Sequence, residues 1–330
     1  MKIAVLGAGS WGSALGQVLA ENNHNIKLWH ANESFVNKIN QDHIHPFLSK
    51  VLINKSIEFT SSIDDLCDFG EILISAIPSQ GLRSVLSKFP KGWNRPIVSV
   101  SKGIENNTGM RMTQVIKESL NIDINEIAVL SGPSHAEEVF DKHPTTIVSA
   151  CLDIHFARQI QNLFSNNYFR VYSGQDVIGV EIGGATKNVI ALAAGICSGI
   201  GYGDNTMAAL VTRGLEEIIR FGTFFGAQRS TISGLSGMGD LVVTAFSPHS
   251  RNRKVGERIG RGEKIKTILS SMKMVAEGVE TTRSINEIVK KNKIDMPICT
   301  EIFKVLFEDL HPKDAILNLM GRDLIDEHPI

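Results

Sequence analysis

Lys187 lies in the stretch VEIGGATKNVIALAAGICSGIGYGD, Val180 to Asp204, and is the one charged side chain between Glu181 and Asp204. A lysine is rarely buried without a partner, and desolvating its ammonium costs far more than local packing returns. Its stem could snorkel along apolar surface with the head in water. Alternatively, the amine is kept partly desolvated, so that its pKa falls and it can give and retake a proton. The uncharged sequence on both sides favours the second reading. Asn188 adjoins it, and the preceding GGA keeps the helix surface thin enough for a cofactor to approach. Asp240, after the glycine turn of GMGDLVVT, could hold the lysine in place.

GAGSWG supplies the partner chemistry. Gly7, Gly9 and Gly12 follow an apolar N-terminal strand and open a helix, the context in which G-x-G-x-x-G signals a dinucleotide. Gly7 permits the tight turn, Gly9 lets a pyrophosphate approach, and Gly12 lets helix and strand pack closely. The helix-start amides near Ser10 and Trp11 then face the anion. An acidic residue is expected about twenty positions on, for the ribose. The second strand ends LWHANES instead, with His30 and Asn32 at those positions and no arginine for a 2′-phosphate. NAD and NADP are both left open. Hydride transfer to a ketone leaves an alkoxide that needs a proton donor, a role suited to Lys187.

Two further loops belong to the same chemistry. Lys102 follows the strand RPIVSVS, and SGPSHA (Ser131 to Ala136) follows another; both could reach a small substrate, with His135 a loop residue nearby. In SPHSRNRKVGERIG, Ser250 reads as a helix N-cap, which puts Arg251 and Asn252 in the first turn. An arginine fork beside free amides makes a phosphate site, whereas Arg253 and Lys254 read as a solvated face. His43, His45, His249 and His311 have no ligand spacing beyond HIH, which reads as exposed, and no metal is implied.

The elements that position these residues fall into two textures. KIAVLGAG, IKLWH, EILISAIPS, RPIVSVSKG, EIAVLSGPS, TTIVSA and FRVYS are β-branched runs, separated in the first half by helical segments. They predict a doubly wound, Rossmann-type parallel sheet covered on both faces, an α/β domain over residues 1–175. From residue 176 to 330 only helical periodicities appear, so an all-helical domain follows. A length of 330 residues suits about two domains. Net charge is −1, and RNRK is too small a basic cluster to suggest nucleic acid. Four scattered cysteines suggest a reduced, cytoplasmic chain. MKIAVLGAGS leaves no room for a signal peptide, and the apolar run Asn188–Gly203 is too short for membrane insertion.

Taken in order, GAGSWG, AIPSQ, SKGIE, LSGPSHAEEV, GGATKNVIALAAG, GYGDNTMAALVTRG, SGMGDLVVT, SRNRKVG and VAEGVETT resemble the bacterial NAD(P)-dependent sn-glycerol-3-phosphate dehydrogenases through nearly the whole chain. The resemblance implies a Rossmann domain followed by a helical domain of the 6-phosphogluconate-dehydrogenase type. It implies reversible reduction of dihydroxyacetone phosphate, supplying glycerophospholipid synthesis. By the same resemblance Ser10, Trp11, His30, Ala136, Val275 and Glu277 would touch the nucleotide. Lys102 and Arg251 would reach both ligands. Gly132, Ser134, Asn188, Asp240 and Thr244 would surround the substrate, with Ser250, Arg251 and Asn252 on its phosphate and Lys187 as proton donor and acceptor. WHAN departs from the family, where Arg, or His followed by Asp, is common. A dehydrogenase of carboxylate substrates and a non-catalytic NAD(P)-binding protein are the rival readings, and a homodimer is the expected assembly.

Overall fold

KIAVL becomes the first strand of an eight-stranded sheet, and its alternate residues feed two different cores. In a computed structural model of the chain, which describes residues 1–46, 48, 51–272, 275–324, 326 and 327, Ile3 and Val5 enter the apolar layer on one face of the sheet, while Ala4 and Leu6 enter the layer on the other. The strands are β1 (Lys2–Leu6), β2 (Asn25–Trp29), β3 (Glu58–Thr60), β4 (Ile72–Ser75), β5 (Ile97–Ser99), β6 (Ile127–Ser131), β7 (Thr145–Ala150) and β8 (Phe169–Gly174). Their order is β3-β2-β1-β4-β5-β6-β7-β8. Every residue of β4 and β6 is buried, as strands covered on both faces require.

The sheet departs from the expected all-parallel arrangement at one place. β7 runs antiparallel to β6, and β8 is parallel to β7. The connection from β6 to β7 holds only a one-turn helix, Ala136–Phe140, too short to carry the chain back along the sheet for a parallel crossover. The short edge strand β3, which begins with exposed Glu58, has too little apolar sequence to be read as a strand. β1, β4, β5 and β6 point the same way, so their carboxyl ends bring Gly7, Ile77, Lys102 and Gly132 to one edge. Open α/β sheets bind ligands at that edge.

Beyond β8 the described residues form helices and turns, with no further strand. The helix Val177–Ile200 is buried on nearly every side, which marks a core element. By length and composition it could cross a membrane, and it is longer than the sequence run suggested, yet 94% of its apolar window is buried inside the protein. Around it pack the helices Asp204–Phe224, Asp240–Phe246, Arg251–Gly260 and Glu277–Asn292. The Arg251–Gly260 helix comes closest: a Cβ on Gly256 would lie 2.1 Å from the Leu192 carbonyl oxygen. Glycine is the residue that allows this approach, and through it the start of that helix reaches Asn188. Glu181, the other charge near the start of the long helix, accepts hydrogen bonds from the Thr113 amide at 2.8 Å and hydroxyl at 2.7 Å and pairs with Arg111, joining the helices to the sheet region.

Candidate active site

At the end of β1, Gly7 has a φ of +120°, and the amides of Gly7 and Ala8 donate to the Trp29 carbonyl at 3.1 and 2.9 Å. A Cβ on Gly12 would sit 1.9 Å from the Gly7 carbonyl oxygen, so the helix Ser10–Glu21 rests directly on the turn. Gly9 is different: a Cβ there would meet no described atom within 4 Å. Its position opens onto a cavity, and the helix start beside it has no side-chain cap. The indole nitrogen of Trp11 is buried without a partner among the described residues. Open space at Gly9, uncapped amides and this donor suit a pyrophosphate, so the turn fits a dinucleotide.

His30 stacks on Phe35 with ring centroids 4.0 Å apart, and its Nδ1 accepts the Asn32 amide at 3.1 Å. Burial lowers its pKa. The Asn32 side chain accepts the Phe35 amide and caps the helix Glu33–Asp42. Phe35 was not singled out from sequence. The HIH pair reads differently in three dimensions. A bridge between Ile44 and Leu52 folds the segment back, and His45 becomes 1% exposed rather than solvated. Burial pushes its pKa down to about 4, beside the backbone of Ala8 and Gly9.

At the opposite end, Lys187 donates to Asp240 Oδ1 at 2.8 Å and to Thr244 Oγ1 at 2.6 Å. Asp240 Oδ2 accepts from Lys102 Nζ at 2.6 Å, and Lys102 also donates to the Gly132 carbonyl at 3.1 Å. One carboxylate, 2% exposed, thus lies between two ammonium groups. Burial brings the Lys187 pKa down to about 8, with Asp240 pulling it up and Lys102 pushing it down. Burial alone would raise the Asp240 carboxyl, but Lys102 and Lys187 hold it below the ordinary value. The glycines before Lys187 serve packing rather than cofactor approach: a Cβ on Gly184 would lie 2.6 Å from Ser131 Oγ.

Ser250 is the N-cap expected of it, its Oγ accepting the Arg253 amide at 3.1 Å. Arg251 is exposed and donates to the Val275 carbonyl at 3.1 Å. Asn252 donates to Asn188 Oδ1 at 2.8 Å and accepts the Gly278 amide at 3.0 Å. Glu277 accepts the Ser79 amide at 3.3 Å, and its carboxyl is raised by burial against the opposing pull of Arg251, Lys102 and Lys187.

One cavity of about 590 Å³ joins these groups. Gly7, Gly9, Ser10, Trp11, Gly12, His30 and Ala136 line it together with Lys102, Ser134, Lys187, Asn188, Asp240, Thr244, Ser250, Arg251, Asn252, Val275 and Glu277. Gly132 does not line it and acts through its carbonyl on Lys102. His135 and His249 also line the wall, with ring centroids 5.8 Å apart. Of these, His249 reads from the sequence only as a histidine without metal-ligand spacing, although it stands next to Ser250.

Residues 2–157 match the model of the NAD-dependent glycerol-3-phosphate dehydrogenase N-terminus, and residues 176–317 match that of its C-terminus. A Lysinibacillus sphaericus protein named glycerol-3-phosphate dehydrogenase (NAD(P)+) is 47% identical, across 99% of this chain and 98% of its own length. One of the same name from Staphylococcus haemolyticus is 46% identical, across 98% of each. The crystal structure of glycerol-3-phosphate dehydrogenase from Coxiella burnetii superposes with a TM-score of 0.91 at 31% identity, covering 97% of this chain and 98% of that one. D-mandelate dehydrogenase, at a TM-score of 0.64 and 13% identity, shares the fold alone. With family models covering both halves and relatives matched end to end, the chain belongs to the NAD-dependent glycerol-3-phosphate dehydrogenase family.

Proposed function

We propose that the chain catalyses the reversible reduction of dihydroxyacetone phosphate to sn-glycerol 3-phosphate with NADH or NADPH. The observation that carries this reading is the Lys187–Asp240–Lys102 cluster in the same cavity as the Gly7–Gly12 turn. The reduced nicotinamide supplies the hydride. Lys187 gives its proton to the carbonyl oxygen as that oxygen gains charge, and a pKa of about 8 suits an amine that must do this and recover near neutral pH. Asp240 holds Lys187 and Lys102 in place, and Thr244 fixes the direction of the Lys187 ammonium by accepting one of its protons. Lys102 faces the substrate oxygen and adds positive charge there. Ser134 lines the substrate side, and the Gly132 carbonyl helps to hold Lys102 there.

Ser250, Arg251 and Asn252 bind the phosphate at a helix start, with the arginine as the fork. Ser10, Trp11, His30, Ala136, Arg251, Val275 and Glu277 contact the nucleotide. The division of labour is a dinucleotide domain over residues 1–175 and a substrate domain over 176–330. The enzyme acts as a cytoplasmic homodimer and feeds glycerophospholipid synthesis.

The test is consumption of NADH and NADPH by the purified protein, offered dihydroxyacetone phosphate, other sugar phosphates and a panel of ketoacids. Oxidation with dihydroxyacetone phosphate alone supports the reading. Turnover on ketoacids and none on the triose phosphate overturns it.

A further inference from the structure

The hydrogen bonds around Asn252 leave its amide one orientation. A backbone amide can only donate, so the Asn252 atom 3.0 Å from the Gly278 nitrogen is its oxygen. The NH2 group of Asn252 therefore faces Asn188, and the Asn188 atom that meets it at 2.8 Å must be an acceptor. Asn188 lines the cavity. Its oxygen is held toward Asn252, so the group turned away from that contact is its own NH2. The three helices that make this contact leave little room to rearrange: a Cβ on Gly278 would lie 2.8 Å from Asn252 Oδ1 and 2.8 Å from the Asn188 carbonyl oxygen.

We propose that Asn252 is a positioning residue for Asn188, locking its amide so that Asn188 reads only an acceptor oxygen of the bound substrate. The substrate atom beside Asn188 is then a carbonyl, alkoxide or phosphate oxygen and not a hydroxyl turned to donate. This inference rests on the reading of the cavity as a dihydroxyacetone phosphate site. Asn252 keeps a second N–H, so it can touch the phosphate itself while it orients its neighbour.

The test is a double-mutant cycle. Asn252→Asp still accepts from Gly278 but has no proton for Asn188, whose amide is then free to turn over. It is expected to lower kcat/KM by at least about tenfold. In the N188A background the same change should cost at least about threefold less, since the residue it acts through is gone. Costs equal to within that factor in both backgrounds would mean that Asn252 acts on the phosphate alone, which overturns the proposal. Gly278→Ala, which crowds the same oxygen without adding charge, replaces N252D if that variant does not fold. Equilibrium binding of sn-glycerol 3-phosphate is measured on the same four proteins. It needs no turnover, so a protein silent on dihydroxyacetone phosphate counts against the functional reading while the coupling is still read.

Discussion

Asp240 accepts from Lys187 at 2.8 Å on one oxygen and gives its other oxygen to Lys102 at 2.6 Å. The two lysines are therefore not independent. Each is held at a defined distance from the same carboxylate, and each opposes the charge of the other across it. Desolvation favours the neutral amine at Lys187 and Asp240 favours the charged one, which leaves its pKa at about 8. A lysine at its ordinary value would be slow to release its proton.

Replacing Asp240 by Asn keeps the shape and removes the charge that both lysines share. Lys187 then loses the interaction that favours its charged form and Lys102 loses its anchor. Turnover should fall by about 10²-fold or more. The dissociation constant for NADH, measured by fluorescence, should change by less than about tenfold, because the glycine turn is untouched. Wild-type turnover in D240N would remove the carboxylate from the mechanism.

The pH profiles follow from the sign of the Lys187 shift. In ketone reduction the charged amine is the donor, so kcat/KM should fall as pH rises through about 8. In alcohol oxidation the neutral amine is the acceptor, so the rate should fall as pH drops through the same region. Initial rates in both directions between pH 6 and 10 (roughly the span that brackets such a value) check this. Two profiles bending in the same sense would exclude Lys187 as the shared group.

How much of this was legible in the sequence depended on range. Lys187 could be paired with Asp240 in advance because a charge in an apolar helix demands a partner, and the carboxylate after a glycine turn was a ready candidate. The second bond of that carboxylate was not legible, since Lys102 is 138 positions away and reads from the sequence as a substrate-side residue with nothing to pair it with Asp240. The Ser250 cap depends on residues three apart and was read correctly. His45 was misread because its burial comes from the bridge between Ile44 and Leu52, a pairing with no hydrophobic pattern to announce it. The reversal of β7 was hidden for a related reason: the composition of TTIVSA does not set its direction, which follows from the short connection after β6.

Gly9 and Gly12 should respond in opposite ways to one added methyl group. A Cβ at Gly9 meets no described atom within 4 Å, so Gly9→Ala should melt close to wild type while weakening NADH. The methyl would stand where a pyrophosphate must approach. A Cβ at Gly12 would lie 1.9 Å from the Gly7 carbonyl oxygen, and Gly12→Ala should cost about 1–3 kcal/mol of stability by overpacking. Thermal melts of the two apo proteins, followed by NADH titration of G9A, separate the roles. A stable G12A with unchanged NADH affinity would contradict the close packing of helix on turn.

Glu217 provides a prediction far from the cavity. Its carboxyl, 3% exposed, caps the helix Pro297–Phe307 by accepting the amides of Ile298 at 2.6 Å and Cys299 at 3.1 Å. Those bonds favour the charged form, but burial outweighs them and lifts the pKa to about 7. A carboxyl raised on folding contributes its full stability below its unfolded value of 4.5 and loses it as pH rises through about 7. The wild type should therefore lose up to about 3 kcal/mol between pH 5 and 8 relative to Glu217→Gln, which keeps one acceptor and does not titrate. Urea unfolding of both proteins across that range measures the difference. Parallel stability curves would show that Glu217 stays ionised, with the two helix amides outweighing its burial.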